Sequence, residues 1–359
     1  MTNARLADNA RSDGGNCATV AALSEVPMAK PFTTVNQQPM VRLGLALPFL
    51  ETLVYSAGEA DRVLNQHKVS RDMLARDDVF VSAQTMYQLV EDLSVASKDP
   101  YAGVHVGAGL DVKSWPPVAT ALSDATSFGD FLLRFSIAVN RDATSVFNSL
   151  ETRLERATFS ELRINDYGVK PAHNDGFGIA YLSKILLTAL GKSRFNGEVV
   201  AHVCDHTVIP VRYLGMRVAK TGTSGFSLSF PSAWLLSQIK PSSADFVRSQ
   251  STAPKTVSES LARVIAPYLS DDSLTAVGVA KLMGMSERSL ARHLANESTS
   301  IHSELTRLRM DTAETLIRTS DKPIATIANE VGYADTSTFT RAFRRCYGGA
   351  PTTYRATQK

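Results

Sequence analysis

Two short segments near the end of the chain carry the residue types best suited to chemistry. The first, "MSERSLARHL" (285–294), holds Arg288 and Arg292 four positions apart, with Ala291 beside them. The second, "DTSTFTRAFRR" (335–345), holds Thr336, Ser337, Thr340, Arg341, Arg344 and Arg345. At helical spacing each set shares a face, while Leu290 and Leu294, or Phe339 and Phe343, fall on the opposite, core-facing side. The chemistry such faces offer is recognition of a polyanion. Arginine holds guanine O6 and N7 in a two-pronged contact, small hydroxyls meet bases or phosphates, and a helix fits a major groove. Arg344 and Arg345 lie nearer the helix end, where backbone phosphates are the expected partners. Glu287 is a further candidate on the first helix.

The elements that must position these faces are repeated. "AVGVAKLMGMSERSLARHLANE" (276–297) and "IATIANEVGYADTSTFTRAFRRC" (324–346) share one grammar. Ala280 and Ala328 each stand four residues before a glycine, Gly284 or Gly332. The alanine lets two helices approach, and the glycine takes the positive φ of a tight turn. Met285 and Tyr333 then enter the core, and Ser286 and Asp335 cap the following helix. The second copy has one extra residue after the turn, so the recognition helices are offset by 49 positions where the turns are offset by 48. The pattern predicts two helix-turn-helix units. Between them Leu305, Leu308, Ala313, Leu316 and Ile317 recur at helical spacing. They predict a helix over about 303–318, roughly 24 Å long. Such a rod can hold two heads on one side of a duplex, where successive major grooves are ~34 Å apart.

Charge agrees with this placement. The chain has 38 Lys+Arg and 35 Asp+Glu, a net charge of +3. Residues 254–359 contain 14 basic and 11 acidic groups, and the rest of the chain holds 24 of each, so all the excess sits in the last third. A local basic cluster is the electrostatic footprint of a polyanion partner.

With 359 residues the chain is long enough for two domains. Apolar residues make up 44% and charged residues 20%, the balance of a soluble globular protein. "IAYLSKILLTAL" (179–190) contains Lys184 and falls short of the roughly 20 residues a bilayer span needs. The first twenty residues lack an apolar signal core, and Cys17, Cys204 and Cys346 form no disulfide framework, so a cytoplasmic location is expected. Residues 1–40 are expected to be a disordered tail. Residues 41–238 mix helical segments ("LALPFLETLVYSAG", with its closing glycine as a helix end, "SAQTMYQLVEDLSVAS", "TSFGDFLLRFSIAVN", "DGFGIAYLSKILLTALG") with alternating ones ("SVFNSLETRL", "TFSELRIND", "GEVVAHVCDH", "SGFSLSFP"). "IKPSSADFVRSQSTAPK" (239–255) is expected to be a linker, and 256–359 to be all helix.

Other chemistry finds less support. His202, Cys204 and His206 stand at period two on a predicted strand, and all three are potential zinc ligands. A fourth ligand is lacking, so a half-buried thiol between two polar histidines, with no metal, is expected. His173, Asp175 and Ser183 form no recognisable triad. "GVHVGAGLDV" (103–112) lacks the dinucleotide fingerprint, so neither catalysis nor a cofactor is expected. Tyr87, Trp115, Phe131, Phe135, Phe177 and Tyr181 are candidates for an apolar pocket or for plain core.

The C-terminal third resembles the AraC/XylS family of bacterial transcription regulators. The residues that carry the resemblance are "VAKLMGMSERSLARHL" (279–294), then Arg309 with Ala313 and Leu316, then "IATIANEVGYADTSTFTRAFRRCYGGAPTTYR" (324–355) with its closing Gly348, Pro351, Tyr354 and Arg355. "ANESTS" (295–300) departs from the family, which often has a glycine there, and a differently shaped turn is expected. The first 240 residues more weakly resemble the longer, arabinose-binding-type effector domain, in "LPFLETLVYSAGEADRVL" (47–64) and "GFSLSFPSAWLL" (225–236). The resemblance implies an α+β protein, a mixed α/β effector domain followed by an all-α domain of two helix-turn-helix units on a linker helix. It further implies a homodimer that binds promoter DNA, contacts RNA polymerase and responds to a small molecule such as an amino-acid derivative, amine or fatty acid. Activation is the expected sense. Repression, and a helical tail that serves protein association, stay open.

Overall fold

Serine caps set the N-terminal helices. Ser70, Ser82 and Ser127 each accept the backbone N–H three residues on, opening α3 (Arg71–Leu74), α4 (Ala83–Ala96) and α7 (Phe128–Asp142). The structure, a computed structural model, describes residues 38–111, 115–239, 252–271 and 274–358. The expected tail lies outside these residues up to 37, as does most of the expected linker, 240–251. Met40, the last residue assigned to that tail, instead opens strand β1 (Met40–Arg42). α1 (Leu47–Thr52) ends earlier than its sequence suggests, with Leu53 extended and the Tyr55 hydroxyl donating to the Phe49 carbonyl. Gly58, expected to close that helix, precedes α2 (Glu59–Gln66) with φ +76°. Strand β2 (Phe80–Ser82), α5 (Ala102–Gly109) and α6 (Pro116–Leu122) complete this layer.

The glycines of the 103–112 segment have a packing role. A Cβ on Gly103 would lie 1.8 Å from the His173 carbonyl oxygen, and one on Gly107 2.4 Å from that of Phe177. Helix α5 therefore crosses α8 (Ala172–Leu190) backbone to backbone, a distance only glycine permits.

The alternating segments form a five-stranded sheet of order β3-β4-β7-β5-β6, from β3 (Val146–Arg153), β4 (Arg156–Arg163), β5 (Val200–Val203), β6 (Arg217–Lys220) and β7 (Gly225–Pro231). All neighbours are antiparallel except β5 and β6. Along β4 the buried residues are Ala157, Phe159, Glu161 and Arg163, so the strand's period of two carries a carboxylate and a guanidinium inward.

Among the described residues from 257 to 358 the regular elements are all helices: α9 (Val257–Ile265), α10 (Ala276–Leu282), α11 (Glu287–Asn296), α12 (Ile301–Thr319), α13 (Ile324–Glu330), α14 (Thr336–Tyr347) and α15 (Pro351–Gln358). The α+β architecture expected from the sequence is the one observed. The helices bury two separate apolar clusters. Val257, Leu261, Val279, Ala280, Leu290, Leu294 and Ile301 belong to the first, and Met310, Ala313, Ile317, Ala328, Phe339 and Phe343 to the second. Helix α12 enters both.

The two-stranded sheet β1–β2 was not anticipated, and it joins the two regions. Met40 pairs with Ser82, Val41 with Val81 and Arg42 with Phe80. Alternation sends Val41 and Val81 into the N-terminal core and Met40 and Phe80 into the first helical cluster. Arg42 stacks over the Phe80 ring at 4.9 Å and pairs with buried Asp142 at 2.5 Å. The Gln38 side-chain amide donates to the Met283 carbonyl at 2.6 Å, alongside.

Candidate nucleic-acid interface

The two turns repeat each other closely. The Met285 N–H donates to the Ala280 carbonyl at 3.0 Å, and the Tyr333 N–H to that of Ala328 at 2.9 Å. Gly284 and Gly332 take φ of +69° and +77°. Both glycines also sit where no side chain fits. A Cβ on Gly332 would meet the Leu269 carbonyl oxygen at 2.4 Å, and one on Gly284 the Ser82 hydroxyl at 2.8 Å. Ser286 caps α11 by accepting the Ser289 N–H, and Asp335 caps α14 by accepting that of Thr338. Leu290, Leu294, Phe339 and Phe343 are fully buried, while Met285 and Tyr333 are half-buried at the cluster edges.

With the inner faces fixed, the outer faces carry the residues singled out from the sequence. Arg288, Ala291, Arg292, Thr336, Ser337, Arg341, Arg344 and Arg345 are exposed, and Thr340 is half-buried. In this helical region Arg307 and Arg318 form ion pairs with residues of their own helix. Among the described residues the five exposed recognition-helix arginines form none. Arg341 donates only to Thr338 Oγ1, at 3.1 Å. Each head therefore presents arginines without an ion pair on the side away from its core, although the Asp335 cap lies within the field of Arg341.

The spacer is longer than its apolar pattern implies. α12 has 19 residues and is ~28 Å long. Leu305 and Leu308 of its first half pack on the first cluster, Ala313, Leu316 and Ile317 of its second half on the second. The departure at 295–300 is a working turn. Ser298 takes φ +60°, Ser300 caps α12, and the Glu297 carboxylate accepts the Val257 and Ser258 N–H groups at 2.8 and 2.9 Å. Arg309 packs its guanidinium over the Tyr333 ring at 5.7 Å and donates to the Asp271 carbonyl at 3.2 Å, tying the second turn to the first unit. At the far end Tyr354 donates to Glu314 at 3.0 Å and meets Phe343 edge-to-face and Tyr347 at a tilt, so α15 locks α14 onto the spacer.

The N-terminal region holds a partly open cavity of about 70 Å³, several times the ~10–15 Å³ needed by one water. Tyr87, Trp115, Phe177 and Tyr181 line it, as the sequence suggested. Phe131 and Phe135 do not; they lie in the core behind, with Phe135 5.8 Å from Tyr181. Sequence reasoning missed Glu161, which also lines the cavity and is 9% exposed. Its signal was the alternation itself, which places Glu161 in phase with Phe159. Nearby, Arg163 pairs with Asp175 at 2.5 Å and stacks on Tyr87 at 4.9 Å, both charges wholly buried. Burial pushes the Glu161 carboxyl up to about 7, against the pull of Arg163.

His202, Cys204 and His206 do not share a strand face. β5 ends at Val203 because the chain turns there into a short 3-10 segment capped by Asp205. The Cys204 thiol donates to Asp175 at 3.3 Å, His202 faces the Ser227 hydroxyl at 3.4 Å, and His206 is exposed. Burial, then the Asp175 charge, pushes the Cys204 thiol up to about 12. No group of three or more His, Cys, Asp or Glu suited to a metal occurs among the described residues. His173, Asp175 and Ser183 are buried along α8, and Asp175 is committed to Arg163.

Residues 279–357 match a family described as a helix-turn-helix domain. Over 80 residues the chain is 38% identical to an uncharacterized HTH-type transcriptional regulator, Rv1395, of Mycobacterium tuberculosis, covering 22% of this chain and 23% of that protein. Over 93 residues it is 32% identical to the transcriptional activator NphR of a Rhodococcus species, covering 26% and 28%. The chain thus spans about a quarter of the length of these relatives. The crystal structure of the transcriptional regulator CdpR from Pseudomonas aeruginosa aligns with 83% of this chain and 96% of its own, at 18% identity and a TM-score of 0.36, a likeness too weak to argue from. The paired turns, their caps and the family match agree on one conclusion: residues 279–357 are a helix-turn-helix domain of the AraC/XylS type.

Proposed function

We propose that this chain is a sequence-specific DNA-binding transcription regulator that responds to a small molecule, acts as an activator and works as a homodimer at promoters with RNA polymerase. In this reading residues 256–359 bind DNA, residues 41–238 sense the effector, and 239–255 join them. The observation that carries it is the pair of equivalent turns, each aiming a recognition helix with exposed arginines away from its core. Arg288, Arg292 and Arg341, with Ala291, Thr336, Ser337 and Thr340, read base edges, and Arg344 and Arg345 hold phosphates. The sensing role draws support from the partly open cavity, whose wall includes Val41, one residue from Met40 in the first helical cluster. An effector acts through that route only by binding one arrangement better than another.

The test is fluorescence anisotropy of the full chain on DNA from upstream of its own reading frame, in wild type and in Arg292→Ala, Arg341→Ala and the double variant. Each arginine removed from a base edge costs roughly 1–3 kcal/mol and relaxes specificity at its position, and wild-type affinity falls steeply with salt. Unchanged affinity in the double variant, or salt-independent binding, overturns the assignment. A promoter fusion with and without the protein separates activation from repression.

A further inference from the structure

We infer that the N-terminal cavity takes a small cationic amphiphile, an ammonium head on an aromatic or aliphatic body, with Glu161 as its counter-ion. The inference rests on the sensing role proposed above and names its ligand class.

The apolar part of the site is aromatic. The rings of Trp115, Phe177 and Tyr181 lie 5.1–5.2 Å from one another, and Phe49 and Tyr87 also line the cavity, Tyr87 with Arg163 already over its ring. Such walls suit a flat or narrow apolar body, and their faces attract a cation. The polar part is unbalanced. Glu161 is 9% exposed, and among the described residues its carboxylate accepts no hydrogen bond. The nearby cation is shared between two acids: Arg163 pairs with Asp175 and only attracts Glu161 through space, its Nε and Nη1 reaching no acceptor. Glu91, the next carboxylate, accepts the His173 N–H at 2.9 Å and so has a partner. The buried interior therefore holds one more acid than it can satisfy, and that acid is on the cavity wall. A buried charge without a partner is costly, and a bound ammonium removes the cost. A carboxylate ligand would meet a like charge at the same place.

The test uses the full chain and three probes of one skeleton, 2-phenylethylamine, 2-phenylethanol and 3-phenylpropanoate, with n-alkylamines from methyl to octyl as a length series whose short members match a cavity of about 70 Å³. Binding is read by thermal shift and titration calorimetry. Amines are expected to raise the Tm and bind at least tenfold tighter than the alcohol or carboxylate of matched skeleton, and Glu161→Gln to abolish that preference. Carboxylate preference, equal amine affinity in Glu161→Gln, or no binding by any amine overturns the inference. The wild-type comparison stands even if the variant does not fold. Anisotropy on promoter DNA with the same samples separates the two levels. Intact DNA binding without amine binding removes only the ligand class, whereas loss of specific DNA binding removes the regulator reading itself.

Discussion

Phe80→Ala probes the small sheet that joins the two regions. The ring is fully buried in the first helical cluster although its strand belongs to the N-terminal region. Removing a buried phenylalanine side chain costs ~3–5 kcal/mol, including the cavity it leaves. The Arg42 guanidinium, 4.9 Å from that ring and paired with buried Asp142, loses its stacking partner, a further ~1–2 kcal/mol that will not add fully. Against a domain stability of ~5–15 kcal/mol this is a large fraction, and it should fall unevenly. Hydrogen exchange followed by mass spectrometry reads it directly. Protection should drop in α9–α11 by more than a hundredfold while α13 and α14, in the other cluster, change little. Val81→Ala is the control, because its neighbouring side chain points to the opposite face and into the N-terminal core, so protection should fall in α4 and α8 instead. If Phe80→Ala leaves α9–α11 as protected as in wild type, or loosens α14 equally, the sheet does not couple the regions in the manner described.

Two more outcomes follow from local geometry. Gly332→Ala must hold a left-handed φ and press a Cβ against the Leu269 carbonyl, so it should lose more than ~2 kcal/mol in denaturant melts, whereas Gly349→Ala, with open space around it, should lose under ~1 kcal/mol. Glu161→Gln should become the more stable protein as pH rises. The folded carboxyl is pushed from its ordinary 4.5 up to about 7, so between those values the folded state holds the extra proton and wild-type stability falls with pH. The groups around it are Arg163 on its own strand, Asp175 and Tyr181 on α8, and Tyr87 and Glu91 on α4. The glutamine cannot titrate, so the stability difference between the two proteins should grow by ~3 kcal/mol from pH 4.5 to 8. A difference flat with pH would show that Glu161 is not held in that environment.

The helical region was legible because its information is local. A turn glycine, a cap two or three residues on and a four-residue apolar spacing lie within one stretch of chain, as at Gly332, Asp335, Phe339 and Phe343. The linker helix was found but shortened, since the capping serine, Ser300, sits inside the atypical turn. The β1–β2 sheet was invisible. Its strands have three residues each, and Met40 and Phe80 acquire their neighbours from α9, more than 170 positions away. Glu161 was hidden differently. In "TFSELRIND" the period of two does put Glu161 on the face of Phe159, but an acidic residue reads as the solvent half of an alternation, so its type masks its position.

The glycine crossing of α5 and α8 makes one side of the cavity stiff. Backbone meets backbone there, so α8 cannot slide or recoil without a steric collision against Gly103 or Gly107. Asn174, Phe177 and Tyr181 act as an anvil. The same cavity is lined by Val41, Ala143 and Ser145, which adjoin the hydrogen bonds between Met40 and Thr144. On the sensing role proposed above, an occupant too large for the cavity would meet no give at α8, and the strand that lines it has its next side chain lodged among the helices.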